Sequence, residues 1–221
     1  MSGVLALVGG GEWTEGCSFD AGLLETAGTD EVVVLPTGSA YEGPAALVDQ
    51  ARTWFAELGA KVVEANVLTR PDALLAENAE LVANAKLLYL AGASAMHLRS
   101  VLKETPVYDA LVAAWRGGAV LAATNAGADV LCDPMVDSRG GAYTVGLGLV
   151  AGLAVIPRSD TWSRDKIHRT VQLAAAGVTL AEVPERTALI RGADGSWRAE
   201  GVGTVQIYIE GRPASLADLR A

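Results

Sequence analysis

The segment Thr124-Asn125-Ala126-Gly127 carries the strongest chemical signal in this sequence. It follows the apolar run 119–123, and the pattern predicts a buried strand that turns sharply into a helix. In α/β hydrolases, a turn of this kind lifts a serine or cysteine nucleophile above the sheet. Here the lifted residue is Asn125, whose carboxamide is no nucleophile for acyl transfer but can donate and accept hydrogen bonds. Asparagine tolerates the positive φ that such a turn needs, so we predict a retained turn without its nucleophile.

Other residues that could do chemistry are few. The histidines, His97 and His168, fall inside predicted helices, and we interpret them as surface or packing residues. The cysteines, Cys17 and Cys132, are too few for a disulfide framework, and Cys132 is expected to be a buried thiol two turns into the helix after Asn125. No cluster of His, Cys, Asp and Glu has metal-site spacing, so neither a metal nor another cofactor is predicted.

A glycine turn, Gly9-Gly10-Gly11, follows the first apolar run of the chain. It has neither the G-x-G-x-x-G pattern nor a Walker loop, which disfavours a phosphate site. A tight turn that closely approaches a ligand or a neighbouring loop is the favoured interpretation.

The elements that must position these residues alternate between short apolar runs and helical patterns. Strands that are apolar on both faces and separated by helices indicate a parallel sheet covered on both sides. Such folds bind ligands at the carboxyl ends of the strands, which here are the loops 9–13, 37–41, 91–95 and 125–128. The predicted strands are 4–8, 31–36, 61–67, 86–90 and 119–124, and the predicted helices are 43–58, 71–83, 95–102 and 107–115.

The pattern changes after residue 150. A strand over 153–156 and a helix over 164–175 are followed by three segments that read as antiparallel strands, 187–191, 196–200 and 204–210. Asp194-Gly195 is a strong hairpin signal. We therefore predict a mixed sheet with an antiparallel C-terminal extension, within a single domain over residues 1–221.

Charge and hydropathy limit the partners. The net charge of −9 argues against nucleic acid and against anionic membranes, which need a basic face. The N-terminal apolar run is too short for a signal peptide, and no apolar run is long enough to span a bilayer. A cytoplasmic protein is expected.

Several motifs, taken in order, resemble the cyanophycinase and dipeptidase E family of serine peptidases. The resemblance implies a flavodoxin-like three-layer sandwich related to class I glutamine amidotransferases. The matching segments are 4–11, Pro36-Thr37-Gly38-Ser39, Gly92-Ala93-Ser94-Ala95, 123–128, 133–135, Gly146-Leu147-Gly148-Leu149 and Glu185-Arg186-Thr187-Ala188.

The departures from the family pattern all fall on its chemistry. Asn125 stands where the family has its serine, and the stretch 156–162, which includes Asp160, has no histidine where the family has its base. Ala95 replaces a glutamine of the substrate loop, and only the acid keeps a counterpart, Glu185. The backbone N–H groups of Ala126 and Ala93 are the expected oxyanion donors.

We therefore expect a catalytically degenerate homologue that binds a peptide, a small polar ligand or a protein partner. Two alternatives stay open. One is an active hydrolase with a relocated catalytic set, in which Ser94, Asp160 or Glu185 activates a water molecule. The other is a mainly structural subunit of an oligomer, paired with an active paralogue or with a second copy in a homodimer. The expected pocket residues are Gly10, Gly11, Ala93, Ser94, Asn125, Ala126 and Trp162, with Asp160 and Glu185 beside them.

Overall fold

The computed structural model describes residues 2–219, which form three packed layers. The strands are β1 Leu5–Val8, β2 Glu31–Gly38, β3 Lys61–Glu64, β4 Leu87–Gly92, β5 Val120–Thr124, β6 Cys132–Asp133, β7 Met135–Val136, β8 Tyr143–Thr144, β9 Val150–Ala151, β10 Leu153–Pro157, β11 Thr179–Val183, β12 Thr187–Arg191, β13 Trp197–Gly201, β14 Gln206–Ile209 and β15 Arg212–Ala214. The helices are α1 Phe19–Ala27, α2 Pro44–Glu57, α3 Arg70–Ala73, α4 Ala76–Asn84, α5 Ala95–Leu102, α6 Pro106–Arg116, α7 Ala126–Val130 and α8 Arg164–Leu173.

The central sheet has seven strands in the order β13-β12-β1-β5-β4-β2-β3. The neighbouring strands β1, β5, β4, β2 and β3 are parallel. The hairpin of β12 and β13 extends the sheet through the antiparallel pairing of β12 with β1. This confirms the predicted fold class. Because Val8 pairs with both Thr124 and Ala188, the glycine turn, the Asn125 turn and the start of β12 meet at one edge.

Alternation along β1 explains why both faces of the sheet are covered. Leu5 and Leu7 pack into one core with residues of α4, α5 and α6. Ala6 and Val8 pack on the opposite face with residues of α1 and α2. Successive side chains of a strand point to opposite faces, so a wholly apolar strand needs a helical layer on each side.

The C-terminal half departs from the prediction in its sheet assignment. Strands β10 and β14, both predicted within a single mixed sheet, belong instead to a separate sheet of order β10-β11-β14-β15. Strand β11 was not predicted because Glu182 interrupts its apolar pattern. The structure buries that side chain, which accepts a hydrogen bond of 2.7 Å from the Tyr208 hydroxyl.

Two further segments differ locally from the prediction. The helix predicted over 71–83 is divided into α3 and α4, because the capping box of Thr69 and Asp72 starts a first short helix that ends at Ala73. Cys132 is buried as predicted but lies in β6, since α7 ends at Val130. Helix α1 was not predicted.

Within residues 2–219, no helix is long and apolar enough to cross a membrane.

Candidate functional site

The turn between β5 and α7 holds Asn125 in a strained backbone conformation, with φ of 53° and ψ of −119°. The positive φ confirms the prediction made from the residue type. The Asn125 N–H donates to the Val8 carbonyl at 2.9 Å, which ties the turn to β1. Gly127 is required beneath the turn, because a Cβ there would lie 2.5 Å from the Leu90 carbonyl oxygen.

The glycine turn after β1 is held against the Asn125 turn by two neighbouring loops. The N–H groups of Arg158 and Arg186 donate to the carbonyls of Gly9 and Gly10, both at 2.7 Å. A Cβ on Gly10 would lie 2.8 Å from Cγ of Arg158 and 3.6 Å from Cβ of Asn125. The segment is thus a tight turn in close contact with a neighbouring loop, as predicted.

An ion pair lies where the family resemblance places the base and the acid. Arg158 Nε donates to Glu185 Oε1 at 2.7 Å, and both side chains are partly exposed. Asp160 accepts a 3.0 Å hydrogen bond from the Glu185 N–H, so its carboxylate supports the same loop. A guanidinium has only donors and stays protonated, so Arg158 cannot accept a proton as a histidine would.

Glu12 is a second carboxyl group beside Asn125. Its Oε2 accepts a 3.0 Å hydrogen bond from the Thr124 hydroxyl, and burial raises the pKa of Glu12 above its ordinary value. Glu12 and Asn125 line a cavity of about 270 Å³ together with Gly11, Thr14, Gln50, Arg158 and Glu185.

A smaller cavity of about 180 Å³ lies on another side of Asn125. Asp129, a buried residue four positions after Asn125, is among the residues that line it. Burial raises the pKa of Asp129 well above its ordinary value. The other residues that line this cavity are Ala93, Ala95, Ala126, Ser138, Pro157, Arg158, Thr161 and Trp162.

The structure brings together part of the pocket expected from the sequence. Ala93, Ala126 and Trp162 line the smaller cavity with Asn125, while Gly11 and Glu185 line the larger one. Gly10, Ser94 and Asp160 line neither cavity. The Ala93 N–H donates to the Gly38 carbonyl at 3.2 Å, so it is not free to bind an oxyanion in this conformation.

Three residues of this site were missed by sequence reasoning: Glu12, Asp129 and Arg158. Signals for the first two were available, because Glu12 follows the glycine turn at a strand end. Asp129 is four residues after Asn125, which places both on the same side of a helix. Arg158 gave no such signal, since its approach to Gly10 depends on the packing of a loop more than 140 residues away.

The remaining titratable candidates lie elsewhere. His97 Nε2 is 2.8 Å from the Leu68 carbonyl oxygen, and His168 is exposed on α8. Neither histidine lines a cavity that contains Asn125. Within the described part of the chain, no group of three His, Cys, Asp or Glu side chains could hold a metal ion.

A larger groove of about 770 Å³ lies at the other end of the sheet, where Trp115, Arg191 and Trp197 are among its lining residues. Ligands of open parallel sheets bind outside the carboxyl ends of the strands, where Asn125 and its cavities lie. The position of Asn125 therefore favours the two smaller cavities over this groove as the candidate functional site.

Comparison with known proteins decides the family. Residues 5–195 match the family model of peptidase family S51. The chain belongs to peptidase family S51. This confirms the resemblance to cyanophycinases and dipeptidase E. The cyanophycinases of Synechococcus elongatus and Thermosynechococcus vestitus are each 26% identical to it, over 92% of this chain and 67% of theirs.

A solved peptidase structure shows the same architecture. The crystal structure of a peptidase from an acI-B1 Actinobacterium superposes with a TM-score of 0.85 at 27% identity. The match covers 97% of this chain and 93% of that one. The three layers and the sheet are thus shared across most of both chains.

Proposed function

We propose that this S51 protein is a catalytically degenerate homologue of the cyanophycinase and dipeptidase E peptidases. It binds a peptide or a small polar ligand at the carboxyl ends of the central strands and does not hydrolyse it. The observation that carries the proposal is the pairing of Arg158 with Glu185 beside Asn125, at 2.7 Å. Of the three groups that a serine peptidase needs, only the acid has a counterpart.

The turn at Asn125 supports this proposal through its backbone. Its φ of 53° and ψ of −119° are a strained conformation, which costs about 1–3 kcal/mol and supports our proposal that a nucleophile elbow is retained. The surrounding hydrogen bonds retain this geometry although the side chain is no acyl-transfer nucleophile. Strain that is kept without the nucleophile is consistent with a role in shaping a ligand pocket.

The Arg158–Glu185 pair beside Asn125 supports the loss of hydrolysis more strongly than the presence of asparagine at the nucleophile position does by itself. A serine nucleophile is activated by an adjacent base that accepts its proton. In a serine protease, losing the nucleophile or its base lowers kcat by about 10⁶-fold. Arg158 supplies no such acceptor, and Glu185 is already engaged by it.

Restoring the serine alone is expected to restore no peptidase activity. We expect both the natural protein and Asn125→Ser to release no amine from aspartyl dipeptides or from cyanophycin-like substrates above the buffer rate, because the base is still missing. The measurement is amine release with an active cyanophycinase as positive control. Thermal unfolding of both proteins would verify their folding. Robust turnover that Asn125→Ala abolishes would overturn the proposal.

A second candidate function rests on Glu12. Its carboxyl group lines a cavity with Asn125, and its raised pKa suits a general base better than that of an ordinary glutamate. In this mechanism the Glu12 carboxylate takes a proton from water, and the water oxygen bonds to the substrate carbonyl carbon. The C–N bond then breaks, and the same proton passes from Glu12 to the leaving amine.

This candidate predicts a specific loss. Any hydrolysis would rise with pH as Glu12 loses its proton, and Glu12→Gln would reduce kcat by at least about 100-fold, the usual contribution of a general base. Glu15→Gln, an exposed position in the same loop, is the matched control and should retain the rate. Equal turnover in the two variants would exclude Glu12 as the base.

A further inference from the structure

Strand β13 forms one edge of the central sheet. It pairs with β12 on one side, and within residues 2–219 no strand pairs with its other side. The unpaired backbone groups of an edge strand are a template for a strand of another molecule. The functions proposed above give this edge no role.

The backbone of Ala199, in the middle of β13, directs its hydrogen-bonding groups away from β12. The Gly192 N–H donates to the Ser196 carbonyl at 2.8 Å, at the turn that joins the two strands. Because bonded residues alternate along an antiparallel ladder, Arg198 and Glu200 bond to β12 and Ala199 faces outward. Residues 2–219 include no partner for the outward N–H and carbonyl of Ala199.

The side chains of β13 divide between the two faces of the sheet. Trp197 and Ala199 pack against one of the two cores that flank the sheet. Arg198 and Glu200 alternate with them and therefore lie on the opposite face. Arg198 Nε and Glu200 Oε1 are 2.6 Å apart, and 49% and 38% of the two side chains are exposed. This face of the edge thus presents one cation and one anion, two residues apart.

The edge is complementary to a second copy of itself. A two-fold axis through Ala199 pairs the two β13 strands antiparallel, and the two Ala199 residues then exchange both of their outward hydrogen bonds. In that register Arg198 of each copy lies opposite Glu200 of the other, because each is one residue from Ala199. Opposite charges directly across an antiparallel pair stabilise it, and the symmetry forms the pair twice.

Other registers and other sheet edges fit a second copy less well. A pairing centred on Arg198 or on Glu200 would place like charges opposite each other, which is destabilising. At the far edge of the central sheet, Glu64 on β3 is already paired with Arg52 of its own chain, at 3.1 Å. In β15, the edge of the second sheet, Pro213 has no N–H to donate. Charge and backbone together select β13.

We propose that β13 is the contact surface of a symmetric dimer, in which two copies of this chain join their central sheets edge to edge. A pair of five-residue strands is small against the about 1,000 Å² that a stable interface buries, so the dimer is transient. The proposal is independent of hydrolysis, because none of its contacts involves the cavities beside Asn125.

Sedimentation velocity of the natural protein measures the association. The mean mass should rise from that of a monomer towards that of a dimer below about 1 mM protein, a dissociation constant that corresponds to about 4 kcal/mol. A natural protein that stays monomeric over this range would refute the proposal.

Charge reversal identifies the surface. Arg198→Glu and Glu200→Arg each place like charges opposite each other, so each variant alone should associate about tenfold more weakly than the natural protein. An equimolar mixture of the two variants should associate again as a heterodimer, because every opposed pair is then a cation with an anion. This recovery distinguishes direct pairing of the two edges from a general effect of net charge.

Arg212→Glu is the matched control, since it reverses the same charge on exposed β15 and should leave the association unchanged. Thermal unfolding verifies that each variant is folded. A dimer that persists in Arg198→Glu, or a mixture that associates no better than its two components, would show that the contact is not the β13 edge.

Discussion

Alanine at Gly92 is expected to lower the free energy of unfolding by roughly 2–6 kcal/mol, from overpacking and backbone strain together. Gly92 ends β4 with φ of +119°, a conformation that side chains rarely adopt. A Cβ there would lie 2.2 Å from the Gly38 carbonyl carbon and 2.3 Å from the Ser39 nitrogen. Both are backbone atoms, so no side-chain rotation can relieve the overlap.

The effect should extend to the candidate site. Gly92 pairs with Gly38 where the register between β2 and β4 shifts, and the Gly38 carbonyl holds the N–H groups of Ala93 and Ser94. Forcing the two strand ends apart would displace Ala93, which lines the cavity beside Asn125. The loss of stability and the loss of ligand binding are therefore expected together.

Chemical denaturation of Gly92→Ala and Gly22→Ala measures this prediction. Gly22 lies on the exposed face of α1, where an added Cβ meets no atom within 4 Å. Its substitution should stabilise the protein by about 0.5–1 kcal/mol, because alanine is the better helix former. Stability of Gly92→Ala within 1 kcal/mol of the natural protein would contradict the role assigned to this close contact.

The free energy of unfolding is expected to fall by on the order of 4 kcal/mol between pH 4 and pH 8 because of one carboxyl group, that of Asp20. Asp20 is fully buried and accepts hydrogen bonds from Trp54 Nε1 at 2.9 Å and from the Tyr89 hydroxyl at 3.2 Å. Burial raises the pKa of Asp20 to about 7, and these two hydrogen bonds only partly oppose that effect.

The sign follows from the two protonation states. Below about pH 4, Asp20 is protonated in both the folded and the unfolded chain, and the full stability is present. Between its unfolded pKa of 3.8 and about 7, the unfolded chain releases the proton while the folded chain keeps it, so stability falls as pH rises. Above about pH 7, the folded protein also ionises and the fall ends.

Asp20→Asn is expected to reduce this pH dependence. The amide can accept from Trp54 through its oxygen and donate from its nitrogen to the Tyr89 hydroxyl, so both bonds survive. Denaturation at pH 4, 5.5, 7 and 8.5 would measure the difference, with exposed Asp30→Asn as the charge-matched control. Burial also raises the pKa values of Glu12 and Asp129, so part of the slope should remain. Identical slopes in Asp20→Asn and Asp30→Asn would contradict the assignment.

Much of the central sheet could be predicted because its signals are local. The wholly apolar runs of β1, β2, β4 and β5 lie within one or two residues of their predicted bounds. The β12–β13 hairpin was recognisable from Asp194-Gly195. These patterns depend on side-chain periodicity and turn chemistry, which neighbouring residues determine.

The sequence by itself determined the family, the parallel sheet with its antiparallel extension, and the positive φ at Asn125, because each depends on residue types within a short segment. Only the tertiary structure decided that β14 joins a second sheet, that Arg158 pairs with Glu185, and that Asp129 lines a cavity beside Asn125. These features join residues from distant segments, and their energies depend on burial and distance. No local pattern encodes those two quantities.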